Sequence, residues 1–322
     1  MQRFACNVLG LFVLATACLT PGWVLADDDD EKKKLPDPVD IELLTRDRLN
    51  LAATFYPSDE GKEAVPIIIL HDWKSDRSKY RDMALLLQEK GHAVLVPDLR
   101  GHGGSTSFAG DDRRSPLQAT RLRSDDFENM VRFDIESCKS YLMERNNARE
   151  LNIEKLCLVG VELGSVLAVH YAHLDWSWRQ LPNLKQGQDV KALVLISPPL
   201  NFRGMKLPDK FNEDRRASPL ENYASRVLSS DVISVMILCG KADSQSMNNA
   251  DKLFAILSAG RPKVAEKDRR EKQSLFLFPL ETELQAGKLV SEQQFQVPLF
   301  VHGFINARLV KKSHPWTDRT PP

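Results

Sequence analysis

The chain has 322 residues, of which 42% are hydrophobic and 27% are charged, and its 44 basic and 44 acidic side chains give a formal net charge of zero. This composition is typical of a globular protein with one fairly large domain and a sizeable core. The balanced charge gives no electrostatic reason to expect a nucleic-acid partner.

Residues 1–26 have the pattern of a secretory signal peptide. Arg3 precedes an apolar run at residues 8–17, and Val24-Leu25-Ala26 resembles the end of a cleavable signal. The apolar run is too short for a membrane helix, and Pro21-Gly22 breaks it. We therefore expect an exported protein, periplasmic or extracellular, with no membrane span after the signal is removed.

A lipoprotein anchor at Cys18 is the less favoured alternative, because the usual large aliphatic residue is missing three positions earlier. The charged segment at residues 27–38 is expected to form a flexible leader. The main domain is predicted at residues 39–311, followed by a polar C-terminal tail at residues 312–322.

The cysteines outside the signal indicate neither a disulfide framework nor a metal site. Cys138, Cys157 and Cys239 are predicted to be buried thiols, the last two within strands. No pair of histidines and acids has the spacing of metal ligands. We therefore expect no metal and no other cofactor.

From Val39 onward, short β-branched runs alternate with helical patterns, which predicts a mostly parallel sheet flanked by helices on both faces. The predicted strands are residues 40–45, 49–56, 65–70, 93–97, 155–160, 191–197, 232–239 and 274–279, the first two as an antiparallel hairpin. The predicted helices are residues 80–90, 125–145, 164–174, 220–228, 248–259 and 292–310. Two interruptions, at residues 106–122 and 175–188, fall where caps or lids can form.

The segment from Gly91 to Ser105, GHAVLVPDLRGHGGS, resembles the strand and turn found in α/β-hydrolases of the esterase and lipase type. The resemblance implies an α/β-hydrolase fold with a small cap or lid excursion. Asp98 and Arg100 are expected to brace the turn, and His102 is expected to belong to the scaffold rather than to the catalytic residues.

The segment Ile69 to Trp73 occupies the strand end where this family commonly has His-Gly. Backbone N–H groups that follow this position build the oxyanion hole in the family. Here Asp72 replaces the glycine, and a carboxylate beside a developing negative charge would oppose it. The simpler interpretation of His71 is that it orders the loop, whereas Asp72 and Trp73 are candidate pocket residues.

The segment from Leu156 to Ser165 has an apolar strand, a Gly-x-Glu-x-Gly turn and the start of a helix, and so resembles the nucleophile elbow in everything but its nucleophile. Glu162 stands where a working esterase carries serine, between the candidate pocket residues Val161 and Leu163. The helix N-terminus favours an anionic Glu162, whereas burial would raise its pKa, and the sequence does not decide between these effects.

The other two triad positions follow from the same resemblance. The run Gly240-Lys241-Ala242-Asp243 has the form of the loop that carries the acid, so Asp243 is in place. After the next strand, Gln285 aligns where the histidine base should stand. Epoxide hydrolases and haloalkane dehalogenases of this superfamily use an aspartate nucleophile at the elbow, but the resulting ester still needs a base. The resemblance therefore implies a degenerate triad of Glu162, Asp243 and Gln285.

No other histidine is a strong substitute for the missing base. His302 is the nearest downstream, but it lies in a helical pattern well past the expected loop. His170 and His173 follow Glu162 on its own helix, and His314 lies in the tail. The tryptophans at 176 and 178 could either line a pocket or fasten the loop to the core, and both alternatives stay open.

Three hypotheses for function remain. The first is a pseudoenzyme that is exported and binds a small molecule, such as a cationic or hydroxylated ligand, over Glu162. The second is an active esterase or epoxide-hydrolase-type enzyme that uses Glu162. The third is an interaction domain without a pocket. Because fold does not give function, the sequence leaves the ligand and the oligomeric state undetermined.

Overall fold

The computed structural model describes residues 34–111, 115–179, 181–182, 185–207 and 225–320. The expected signal peptide at residues 1–26 and most of the expected leader, residues 27–33, lie outside these ranges. Residues 220–224 of one predicted helix also lie outside them.

The described residues form one eight-stranded sheet, mostly parallel, as the sequence predicted. Its order is β1-β2-β4-β3-β5-β6-β9-β10, and β7 and β8 form a separate hairpin. Within the eight-stranded sheet, the β1–β2 and β2–β4 pairs are antiparallel, and the other described pairs are parallel. The strands are β1 (Val39–Leu44), β2 (Asn50–Tyr56), β3 (Pro66–Leu70), β4 (Ala93–Pro97), β5 (Leu156–Val161), β6 (Val190–Ile196), β7 (Asn201–Phe202), β8 (Met205–Lys206), β9 (Ser234–Gly240) and β10 (Leu275–Leu280).

Both faces of the sheet are covered, because successive side chains of a strand point to opposite faces. In β3, Ile68 and Leu70 pack on one side with α2 to α5, and Ile67 and Ile69 pack on the other with α1, α7 and α8. The helices are α1 (Arg81–Glu89), α2 (Ser124–Asn129), α3 (Ile135–Asn147), α4 (Leu163–Ser177), α5 (Ser244–Ser258), α6 (Arg269–Lys272), α7 (Ala286–Ser291) and α8 (Val297–Ile305).

Two predicted helices are divided into shorter pieces. The one predicted over residues 125–145 is interrupted by a π-helical turn at Met130–Asp134, between α2 and α3. The one predicted over residues 292–310 begins only at Val297, because Gln296 has a left-handed backbone with φ of +47°. Pro298 lies in the first turn of α8, where proline is well tolerated, and marks the true start.

The expectation that residues 175–188 lie where a cap or lid can form is wrong for the described part of this segment. A helix that follows a parallel strand returns the chain to the amino ends of the strands, and α4 does so. Near its end, the indole Nε1 of Trp176 donates a hydrogen bond to the carbonyl of Val190, where β6 begins. Trp176 therefore fastens the chain to the core, and Trp178 lies beside it in sequence. The excursion at the opposite edge is the hairpin of β7 and β8, which the sequence analysis did not predict.

The segment assigned to a polar tail, residues 312–322, packs on the domain as far as it is described. Arg319 is 7% exposed, and its guanidinium donates to Asp189 and Glu154. Asp189 also pairs with Lys139, which is itself buried. This segment is thus tied to the amino edge of the sheet by buried ion pairs, remote from Glu162.

Cys138, Cys157 and Cys239 are buried and form no disulfide. Among the residues with described placement, no group of three or more His, Cys, Asp or Glu side chains could hold a metal ion. No helix in the described ranges is both long enough and apolar enough to cross a membrane.

Candidate active site

Glu162 sits at a sharp turn between β5 and α4. Its backbone has φ of +48° and ψ of −107°, a conformation that non-glycine residues rarely adopt. A Cβ on Gly160 would lie 2.3 Å from the carbonyl oxygen of Gly164, and one on Gly164 would lie 2.0 Å from that of Leu70. Only glycine allows these approaches, so the two glycines that flank Glu162 make the turn possible.

The Glu162 carboxylate is held by backbone donors. Its Oε2 accepts a hydrogen bond of 2.9 Å from the N–H of Trp73, and the N–H of Leu163 also interacts with the carboxyl group. These are an N–H from the loop after β3 and the N–H that follows the nucleophile position, the two donors of the oxyanion hole in this fold. The Glu162 carboxylate therefore contacts N–H groups from the two positions that supply these donors in the fold. Val161 and Leu163 are fully buried beneath it.

The pKa of Glu162 is raised above its ordinary value of 4.5. Partial burial is the largest cause, and the nearby Asp72 carboxylate adds to it. The N–H groups of Trp73 and Leu163 oppose the shift by stabilising the anion. Burial thus outweighs the hydrogen bonds from these two N–H groups.

His71 is fully buried and orders the loop after β3. Its Nδ1–H donates to the Asp72 carbonyl at 2.7 Å, and its Nε2 accepts from the N–H of Leu99 at 2.9 Å. A carbonyl can only accept and an N–H can only donate, so these bonds fix the neutral tautomer. Burial lowers the pKa of His71 to about 4, which makes it a structural link rather than a base.

The Asp72 carboxylate lies near Glu162 and is bonded to Tyr80. Its Oδ1 accepts a 2.8 Å hydrogen bond from the hydroxyl of Tyr80, whose pKa burial and the Asp72 charge raise well above the usual range. A Cβ on Gly287 would lie 3.0 Å from its Oδ2, which places this carboxylate at the start of α7. Asp72 therefore adds negative charge beside Glu162.

The Trp73 side chain lies in a cluster of rings. Its ring centroid is 4.9 Å from that of His102, 5.9 Å from that of Phe127 and 5.6 Å from that of Phe202. The guanidinium carbon of Arg203 lies 4.4 Å from the Trp73 ring. This cluster fixes the loop whose N–H holds Glu162, and it attaches the β7–β8 hairpin to that loop.

Asp98 and Arg100 brace the turn after β4 through different partners rather than through each other. Asp98 accepts hydrogen bonds from the backbone and side chain of Arg77 and from the Gly104 N–H. Arg100 is buried and pairs with Asp47 and Asp134. His102 is also buried, and burial lowers its pKa, as suits a scaffold residue.

Asp243 and Gln285 lie in the loops after β9 and β10, but neither side chain is bonded to the other or to Glu162 in the described structure. Asp243 caps α5 by accepting the Ser246 N–H at 2.7 Å. The Gln285 Oε1 accepts hydroxyl hydrogen bonds from Ser197 at 2.8 Å and Ser246 at 2.7 Å, and its Nε2 donates to the Gly240 carbonyl at 3.2 Å. Gln285 is therefore fixed by local partners.

The other histidines lie away from Glu162. The ring of His302 is bonded to that of His92 at 3.1 Å, and because His92 precedes β4, this pair lies at the amino edge of the sheet. His170 donates from Nε2 to the Lys206 carbonyl at 3.0 Å. His314 lies in the docked C-terminal segment. None of these side chains supplies a base at the elbow.

Five cavities formed by described residues lie elsewhere, since none is lined by Glu162, Asp243 or Gln285. One of them, of about 440 Å³, lies between α2, α4 and the β7–β8 hairpin.

Sequence reasoning missed the serine partners of Gln285 and the aromatic partners of Trp73. Ser197 directly follows β6, so the rule that placed Asp243 at a strand end could have identified it. Phe127 and Phe202 come from a helix and a hairpin distant in sequence. Their contact with Trp73 has no local sequence signal.

A family profile described as "Serine aminopeptidase, S33" matches residues 62–258. The Pyrococcus furiosus esterase Pf2001 is a similar solved structure, with 15% identity, a TM-score of 0.55, and coverage of 85% of this chain and 93% of its own. Dienelactone hydrolase from Anabaena variabilis has 14% identity, a TM-score of 0.53, and coverage of 86% and 100% respectively. DcsB, solved in complex with its substrate analogue, has 14% identity, a TM-score of 0.57, and coverage of 85% and 99%.

At such identities, these solved structures show a shared fold and no more. No curated protein matches the sequence.

Proposed function

The chain belongs to the serine aminopeptidase (S33) family of α/β-hydrolases, and from that premise we propose that it is a catalytically impaired member that binds a small molecule instead of hydrolysing an ester. The observation that carries the proposal is the hydrogen bond from the Trp73 N–H to the Glu162 carboxylate. Acyl transfer needs this donor for a developing oxyanion. A carboxylate already bound there removes the donor and repels a second negative charge.

The histidine position supports the same proposal. An amide has no basic nitrogen, so Gln285 cannot take a proton from a nucleophile or from water. Its oxygen is also engaged by Ser197 and Ser246. If Glu162 did form an ester with a substrate carbon, no base is at hand among the described residues to activate water for its hydrolysis.

The charge at the elbow favours a ligand with a cationic or hydroxyl group. Glu162 is only half-buried, and Asp72 adds a second carboxylate nearby. A ligand that donates hydrogen bonds, or carries positive charge, would lower the electrostatic repulsion between the two acids. We expect such a group to bind directly over Glu162.

We also propose that the protein is exported and that residues 1–26 are removed. The support is the sequence pattern alone, with Arg3, the apolar run at residues 8–17 and the Val24-Leu25-Ala26 ending. N-terminal sequencing of the protein after export from a bacterial host should begin at Asp27. Retention in the cytoplasm with an intact Met1 would contradict this proposal.

The activity test is hydrolysis of short p-nitrophenyl esters and of styrene oxide by the purified mature protein. Glu162→Gln, prepared in parallel, keeps the size and hydrogen-bonding oxygen of the side chain but removes its charge. We expect the two proteins to give the same background rate. Turnover by the native protein that Glu162→Gln abolishes would overturn the proposal and establish the alternative, an active esterase or epoxide hydrolase that uses Glu162.

A further inference from the structure

We propose that the groove between α2, α4 and the β7–β8 hairpin binds a small organic anion with an apolar body, at a site separate from Glu162. The groove has a volume of about 440 Å³, within the range of cavities that hold small molecules. On α4 it is lined by residues 170–177, two or more turns along the helix from Glu162. Nothing in the chemistry proposed for Glu162 requires it.

The floor of the groove is apolar. Phe127 and Val131 are 2% and 7% exposed, and Leu174 and Met205 are partly buried where they line it. Contact between this apolar surface and a hydrocarbon ligand is favourable in free energy, because both surfaces are removed from water. A fully polar ligand, such as a free inorganic ion, would leave that surface unused.

The rim of the groove is positive. Arg132, Arg203 and Lys206 line it and are exposed, and Glu128 is the single acid among its described lining residues. Among the residues whose positions are described, no carboxylate lies within ion-pair distance of any of the three cations. Many other basic side chains in the chain do have such partners. The unpaired charges thus favour an anionic group on the ligand.

The hairpin holds Arg203 in an unusual backbone conformation. Arg203 and Gly204 form a two-residue turn with φ of +46° and +94°. Such turns favour Asn-Gly, because a long side chain at positive φ is strained. Arg203 nevertheless occupies the first position, with its guanidinium over the Trp73 ring and at the groove. The first position of this turn therefore carries a cation instead of the preferred asparagine. Strained backbone of this kind is common at binding sites.

His170 fixes the hairpin against α4. Its Nε2–H donates to the carbonyl of Lys206, and burial lowers the pKa of this imidazole. The ring is thus neutral near pH 7, and the positive charge of the groove comes from the three cations rather than from His170. Glu128 on α2 and His173 on α4 are the other titratable groups that line the groove.

Trp73 separates this groove from the elbow. Its backbone N–H is bonded to Glu162, whereas its ring packs against Phe127 and Arg203, which line the groove. The two sites have opposite charge preference, since Glu162 and Asp72 disfavour an anion. A ligand of the groove can therefore be tested independently of activity at Glu162.

The test is calorimetric titration of the mature protein with decanoate, decanol and decyltrimethylammonium, which share a hydrocarbon chain and differ in charge. We expect decanoate to bind, and to bind several-fold more weakly when the salt concentration rises from 20 to 500 mM. Equal affinity for all three, tighter binding of the cation, or no binding of decanoate would each overturn the proposal.

Variants then locate the site. Arg203→Asn places the preferred residue in the turn, so the hairpin should remain folded while decanoate binds roughly fivefold more weakly. Leu174→Trp should abolish binding by filling the groove without changing its charge. The control Lys252→Gln removes an exposed cation on α5 and should bind as the native protein does. Unchanged affinity in both Arg203→Asn and Leu174→Trp would overturn the assignment to this groove.

Discussion

The elbow at Glu162 differs from the loops that carry Asp243 and Gln285. Glu162 has a backbone φ of +48°, and its side chain contacts the N–H groups of Trp73 and Leu163. Asp243 and Gln285 have ordinary φ values of −83° and −134°, and their side chains bond to neighbouring residues. The two regions have equally tight backbones. A Cβ on Gly240, at the end of β9, would lie 2.5 Å from the carbonyl oxygen of Leu284. The elbow and the loops after β9 and β10 differ in what determines the direction of their side chains.

In the elbow, the sharp turn directs the Glu162 side chain toward the N–H groups of Trp73 and Leu163. In the loop after β10, the hydroxyl groups of Ser197 and Ser246 hold the Gln285 side chain. In the loop after β9, the backbone N–H of Ser246 holds the Asp243 side chain. The elbow thus has its sharp backbone turn with a glutamate at its centre. At position 285, hydrogen bonds to the two serine hydroxyls fix a glutamine.

The most severe way to break the elbow is Gly164→Ala. The added methyl group would lie 2.0 Å from the Leu70 carbonyl oxygen, so β3 or α4 must shift. We expect the free energy of unfolding in urea to fall by about 3 kcal/mol or more.

The matched control for this change is Gly303→Ala. Gly303 is exposed in α8, and a Cβ there would meet nothing within 4 Å. Alanine favours a helix, so this variant should gain about 1 kcal/mol. A loss at Gly164 no larger than about 1 kcal/mol would contradict the argument that close approach fixes the elbow.

The next largest expected effect is on esterase activity, and it tests the loop that carries Gln285. Glu162→Ser combined with Gln285→His restores a serine and a base beside Asp243, and we expect hydrolysis of p-nitrophenyl acetate to rise roughly ten- to a hundredfold. The reference is Glu162→Ser combined with Gln285→Asn, which has the nucleophile but no base. Equal kcat/KM values for the two double variants would show that Ser197 and Ser246 still misdirect residue 285. Adding Ser246→Ala would then sharpen the comparison by removing one competitor.

The backbone of this site could be predicted from the sequence more fully than its hydrogen bonds. β4 was predicted with its observed bounds, because Gly91-His92 and Pro97-Asp98 delimit an apolar run. The turn at Glu162 was predicted because two glycines mark a close approach. Sharp turns and buried strands have local signals, and the sheet follows from their alternation.

The errors arose where long-range contacts or chain direction decide the outcome. The π-helical turn at residues 130–134 has no glycine or proline to mark it. The hairpin at Asn201–Lys206 lacks the Asn-Gly pair that usually identifies such a turn, because Arg203 stands there. The placement of residues 175–188 could have been corrected from the sequence, since α4 must return to the amino ends of the strands.

The smallest effect concerns the charge of Glu162 itself. Since burial raises its pKa, the folded chain keeps this proton at pH values where the unfolded chain has lost it. The stability that the proton contributes is present at acidic pH and is lost as the pH rises from 4.5 through the raised pKa. Glu162→Gln has no such loss. Its stability relative to the native protein should therefore increase between pH 4 and pH 7.5.

Because Glu162 is only half-buried, we expect this increase to stay below about 1 kcal/mol. Urea unfolding of both proteins at the two pH values measures it, and Glu283→Gln, which neutralises an exposed glutamate in the loop after β10, provides the control. A relative stability that falls with pH would mean that the Trp73 and Leu163 N–H groups stabilise the anion more than burial opposes it. Glu162 would then be held as an anion by these N–H groups, and burial would not be the dominant influence on its pKa.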